Sequence, residues 1–208
     1  MREVEENAKA VLEVWLPGTE GGHAIVDALT GKVNPSGKLP MSFPYCVGQI
    51  PVYYNYLATG RPNDPQKKER YLSKYLDIPN EPLYPFGYGL SYTGFTISDV
   101  ILSSDRLTKD GEITASVCIQ NTGEREGSDV LQLYIRDVTA SVARPVKELK
   151  GIEKVSLKPG EKKEISFRIT EEMLRFVRAD GSYGSEPGKF RVWISDSSDS
   201  GVYQEFIL

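Results

Sequence analysis

Four stretches in the second half of the chain place an apolar side chain at every second position, and this period of two sharply restricts what the chain can fold into. They are Ile113, Ala115, Val117 and Ile119; Leu131, Leu133 and Ile135; Ile165, Phe167 and Ile169; and Phe190, Val192 and Ile194. Successive side chains of an extended backbone point to opposite faces, so each run turns one face to a core and one away from it. Asn121-Thr-Gly123, Lys158-Pro-Gly160 and Pro187-Gly188 separate the runs with residues that favour turns. Residues 95–102, 148–157 and 202–208 add further strand candidates, and about seven strands at this spacing predict an immunoglobulin-like β-sandwich.

No cysteine pair stands at the antibody spacing, which makes the fibronectin type III kind of sandwich the better match. Tyr134 and Trp193 fall on the faces opposite their apolar runs. They are the aromatic candidates for a carbohydrate- or protein-binding surface, so a free-standing binding module is an alternative reading of this half.

The first half reads differently. Residues 11–16 are mostly apolar and halted by Pro17-Gly18, which predicts a buried strand. A helix is expected next, with Thr19 as its N-cap, Ala24, Ile25, Ala28 and Leu29 as its apolar stripe and Gly31 just beyond its end. Strand, turn and helix make half of a βαβ unit, whose sheet needs parallel neighbours. From Asn34 to Tyr92 no period is evident. Prolines recur from Pro35 to Pro85, disfavouring helix and central strand alike, and tyrosines from Tyr45 to Tyr92 supply anchors for extended backbone. The expected organisation is an α+β fragment over residues 1–45, the end of an α/β sandwich domain; a Pro/Tyr-rich linker over 46–92; and an all-β fibronectin type III-like domain over 93–208.

Charge and motifs exclude several functions. A net charge of −4 gives no general attraction to nucleic acid or to anionic membranes. No apolar run approaches the ~20 residues needed to cross a bilayer, and the first residues lack a signal-peptide pattern. Cys46 and Cys118 fall in different units, so neither a disulfide nor a thiolate metal site is expected. The Pro17–Gly22 turn lacks the lysine and Ser/Thr of a phosphate-binding loop, and its glycines are read as packing. His23, the sole histidine, has no nucleophile motif beside it. Asp27, Asp77, Glu81, Asp137 and Asp180 lie in no motif that marks an acid or a nucleophile, and residues 195–201 lack the ligand pattern of a calcium loop.

Several motifs then occur in a fixed order: Ala10 through Gly31; Asn34-Pro-Ser-Gly-Lys-Leu-Pro-Met-Ser-Phe-Pro44; Gly48-Gln-Ile-Pro-Val-Tyr-Tyr-Asn55; Thr59-Gly-Arg-Pro62; Leu83-Tyr-Pro-Phe-Gly-Tyr-Gly-Leu-Ser-Tyr92; and Arg144-Pro-Val-Lys-Glu-Leu-Lys-Gly151. In this the chain resembles the carboxyl-terminal portion of glycoside hydrolase family 3 β-glucosidases of the bacterial periplasmic type. The resemblance implies a parent with a (β/α)8 barrel, an α/β sandwich and a fibronectin-like domain, which cleaves terminal non-reducing β-D-glucosyl units with retention. The nucleophilic aspartate and the acid/base glutamate are then expected upstream of Met1, leaving no catalytic residue within this chain. The implied partners are a β-glucoside or gluco-oligosaccharide substrate and the upstream domains. No metal or cofactor is expected, and the implied location is periplasmic or secreted. Tyr53, Tyr54, Asn55 and Arg61 are the candidates for the rim of the active-site entrance.

Overall fold

The computed structural model describes residues 2–58, 60–62 and 69–208. The alternating half forms a two-layer sandwich. In one layer β1 (Phe95–Ile97) and β2 (Ile101–Leu102) pair in turn with β3 (Glu112–Asn121), and β3 pairs on its other edge with a later strand, β6 (Lys162–Thr170). The other layer has the order β10 (Gln204–Ile207), β9 (Lys189–Ser195), β4 (Gly127–Asp137) and β5 (Glu148–Leu157). The pairings within both layers are antiparallel. A small hairpin, β7 (Phe176–Val177) with β8 (Tyr183–Gly184), lies outside them. The expected strand over 95–102 is thus two short strands on one partner.

Register follows from the alternation. Leu133 faces Ile194 and Ile135 faces Val192 across the β4–β9 ladder, and all four are buried in the core with Ile113, Ile119 and Ile169. Phe190 and Phe206 stack at 5.3 Å in the same core. Each such side chain contributes roughly 1.5–3 kcal/mol by burial, which makes this sandwich the stable body of the chain.

The first half departs from expectation in two places. Residues 11–16 form no strand: Leu16 is 98% exposed, and Trp15 takes a positive φ of 48°. A strand's backbone groups need neighbouring strands, and none lies beside this segment among the described residues. The helix, α2, spans Gly21–Leu29 with Glu20 rather than Thr19 at its N-cap and no side-chain cap bond. A shorter helix, α1 (Arg2–Asn7), precedes it. The stop at Gly31 holds, since its φ of 73° suits the left-handed residue after a helix end.

The described residues between 34 and 92 wrap the sandwich. Two arms run antiparallel: the Leu39 amide donates to the Tyr88 carbonyl, the Gly87 amide to the Leu39 carbonyl, and the Phe43 amide to the Tyr84 carbonyl, each at 2.8 Å. Lys38 reaches Asp129 of β4 at 2.7 Å, with both side chains largely buried, and donates to the Gly89 carbonyl at 3.0 Å. Gly87 has a φ of 82°, and a Cβ there would collide with the Gln132 side chain. Asn34 adds a further tie, donating to the Glu126 carbonyl and accepting from the Ser91 hydroxyl and the Tyr92 amide.

Candidate functional site

An open cleft of about 650 Å³ lies between the outer face of the β4–β9 sheet and linker residues that include Ser42, Gln49, Tyr53, Tyr54, Tyr75 and Pro85. Its linker wall is pinned by Gln49, a buried side chain that donates to the Pro79 and Glu81 carbonyls at 3.0 Å and accepts from the Tyr45 amide. On the opposite side the Val146 amide donates to the Tyr56 carbonyl at 3.0 Å.

This covering changes the status of Tyr134 and Trp193, which are cross-strand partners on the outer face. Tyr134 is wholly buried and Trp193 is 8% exposed, so they offer no free aromatic row. Tyr54 is the reason for the former: its ring stacks on Phe86 at 4.6 Å and meets Tyr134 edge-on at 5.6 Å. The Tyr134 hydroxyl donates to the Gln132 side chain, which in turn donates to the Asp196 carbonyl. The binding-module reading loses its two candidates.

Of the four rim candidates, Tyr53 and Tyr54 line the cleft. Tyr53 keeps an exposed ring, whereas Tyr54 is half-buried in the aromatic stack. Asn55 is exposed on the adjoining turn. Arg61 is exposed too, with its guanidinium 6.0 Å from the centre of the Tyr71 ring. Within their motif Thr59 lies outside the described residues.

Sequence reasoning missed Lys147, which stands on the cleft floor just before β5. Its ammonium donates to the Ser198 carbonyl at 2.6 Å and lies 4.7 Å from the Trp193 ring and 5.6 Å from the Tyr134 ring. Burial lowers its pKa to about 8, against a nearby Asp199 that acts in the opposite direction. The unfolded chain holds this proton to about pH 10.4, so between pH 8 and 10 the unfolded state binds more protons and stability rises with pH. Tyr134, whose burial raises its pKa, opposes this only above about pH 10. Folding stability should therefore rise by about 1–2 kcal/mol from pH 7.5 to 9.5. Urea titrations of the chain and of Lys147→Met at both pH values check this, because the variant should lose the rise.

The acidic residues considered above serve local structure where partners are described. Asp27 pairs with Lys32 at 3.0 Å, Asp180 accepts the Ser182 amide at 2.9 Å, and Asp137 accepts the Thr139 amide at 3.1 Å. Burial raises the Asp137 pKa, the direction required of a general acid, but Asp137 does not line the cleft. His23 is exposed and meets Glu20 at 2.8 Å. Cys46 and Cys118 are free thiols, both exposed.

Comparison with known proteins places these features. Residues 1–92 match the glycosyl hydrolase family 3 C-terminal domain, and residues 129–198 match a fibronectin type III-like domain. The chain is 59% identical to a periplasmic beta-glucosidase of Salmonella typhimurium over 194 residues, which is 93% of this chain and 25% of that protein. It is 45% identical to a putative beta-xylosidase of Formosa agariphila over 195 residues, 94% of this chain and 24% of that protein. A crystal structure of a beta-glucosidase from Listeria innocua in complex with glucose superposes with a TM-score of 0.94 at 48% identity, over 99% of this chain and 28% of that one. The chain thus spans about a quarter of the length of the curated relatives it matches.

Proposed function

The chain belongs, through residues 1–92, to glycosyl hydrolase family 3, and on that premise we propose that it is a supporting portion of a retaining β-glucosidase that releases terminal non-reducing β-D-glucosyl units. The observation that carries this reading is the 59% identity to a periplasmic beta-glucosidase across nearly the whole chain. In this reading the nucleophilic aspartate and the acid/base glutamate come from upstream domains. The segment from residue 11 to 33 is their docking seam: Val11, Leu12, Trp15, Leu16, Leu29 and Val33 are exposed apolar side chains on an irregular segment and the helix that follows it. The Salmonella relative's name supports a periplasmic or secreted location, and no helix among the described residues is long and apolar enough to cross a membrane. The Formosa relative favours one second reading, a β-xyloside substrate.

Within the parent, Tyr53, Asn55 and Arg61 are proposed to border the active-site entrance, with Tyr54 fastening that border to the sandwich. The two roles separate on measurement. Arg61→Ala or Tyr53→Ala in the full-length enzyme should lower kcat/KM for a glucose tetramer several-fold more than for a dimer, with melting temperature nearly unchanged. Tyr54→Ala, which removes a stacked aromatic, should cost about 2–4 kcal/mol of stability. An unchanged length preference in the Arg61 and Tyr53 variants rules out the rim role. The same assays with aryl β-xylosides test the second reading.

A further inference from the structure

We propose that the cleft between the linker and the outer β4–β9 face is a binding site for a neutral saccharide, a terminal pyranose with equatorial hydroxyls held against tyrosine rings. This deepens, and rests on, the reading of the chain as part of a glycoside-processing enzyme.

The volume of about 650 Å³ is within the range of small-molecule sites, ~300–1,000 Å³. Its walls are fixed by the Gln49 and Val146 hydrogen bonds already described, so little ordering is needed on binding. Around it Tyr53, Tyr56 and Tyr75 are exposed, while Tyr54 packs on the Phe86 and Tyr134 rings. A pyranose with equatorial hydroxyls presents apolar C–H faces that match such rings, and its edge presents donors and acceptors.

Polar groups meet that edge. Arg136, Lys147, Asn80 and Asp199 line the cleft. Lys147 makes a single described hydrogen bond, to Ser198, leaving further ammonium protons to donate. Ser42 lies on the same wall, 4% exposed, with a buried hydroxyl that has no hydrogen-bond partner among the described residues. Such a group costs free energy until a water or a ligand hydroxyl meets it.

Charge selects the ligand class. Arg136 and Lys147 are balanced by Glu81 and Asp199, so the lining gives no net attraction to phosphate or carboxylate. A neutral polyhydroxyl compound suits it better than an anion.

The test uses the full 208-residue chain carrying Trp15→Phe, which leaves Trp193 of the cleft floor as its one indole. Titration with cellotriose should shift Trp193 emission saturably with a Kd of roughly 0.1–5 mM, and calorimetry should give the same value. Tyr53→Ala and Tyr75→Ala should each weaken binding at least about 5-fold, roughly 1 kcal/mol, since each removes a ring that the pyranose would face. Their urea midpoints should stay near the parent's. Absence of saturable binding by both methods to about 20 mM overturns the proposal. Unchanged affinity in both tyrosine variants overturns the location. Competition by inorganic phosphate overturns the neutral class. A failure here with a shifted length preference in the Tyr53 variant of the full-length enzyme removes the cleft site and leaves the parent reading intact.

Discussion

Lys38→Met should destabilise the chain by about 3–5 kcal/mol, the largest loss expected from one side chain outside the sandwich core. Lys38 and Asp129 lie 2.7 Å apart with side chains only 13% and 5% exposed. Removing the cation leaves the Asp129 carboxylate buried, with the Val130 amide at 2.9 Å as its remaining described donor. It also frees the Gly89 carbonyl that Lys38 clamps. The stem of methionine fills most of the vacated volume, so the loss reports the stranded charge rather than a cavity. A second variant makes this decisive. Lys38→Met with Asp129→Leu removes both charges and should recover most of the loss, because a buried pair replaced by apolar groups of similar volume is close to neutral. Urea titrations of the two variants provide the comparison. Equal destabilisation in both would mean that the site matters through packing alone.

That pair also shows which parts of the fold were legible in the sequence. The motifs around Lys38 and around Gly87 were recognisable in order. Their contact with each other and with β4 was not, since Lys38 meets partners 51 and 91 residues away. The alternation of Ile113 to Ile119 or of Leu131 to Ile135 needs no such knowledge: period two assigns faces whatever the partner strand is. Residues 11–16 carried the composition of a strand yet form none, because composition cannot supply the neighbouring strands that satisfy a backbone. The sheet-face assignment of Tyr134 and Trp193 was right, but their exposure was misjudged. Tyr54 packs on Tyr134, and the Ser198 amide just beyond β9 donates to the Phe86 carbonyl, both contacts with a linker that has no period to read. Lys147 went unnoticed for a similar reason. In sequence it is one lysine within Arg144-Pro-Val-Lys-Glu-Leu-Lys-Gly151, and only the fold lays it between two aromatic rings with its proton loosened.

The second large effect concerns catalysis. Retaining hydrolysis needs a nucleophilic carboxylate and an acid/base about 5–5.5 Å apart, flanking the glycosidic bond. Four of the carboxylates are committed to partners: Asp129 to Lys38, Glu171 to Arg175 and Ser185, Glu186 to Ser141, and Glu205 to Lys189 and Arg191. Hydrogen bonds from these partners lower the pKa of Glu171, Glu186 and Glu205, which suits structural ion pairs and is the wrong direction for a group that must donate a proton near neutrality. If the chain supports chemistry done by upstream domains, the 208 residues by themselves should contribute nothing measurable to bond cleavage, although they fold.

The decisive measurement is the turnover of an aryl β-D-glucoside by the purified 208-residue chain, its fold verified by a cooperative urea transition. A supporting portion gives a rate equal to the buffer blank, against the ~1–10³ s⁻¹ typical of enzymes, and addition of the upstream domains on a separate chain restores activity. Turnover by the chain alone within that enzymatic range, abolished by substituting one of its own carboxylates, would contradict the account.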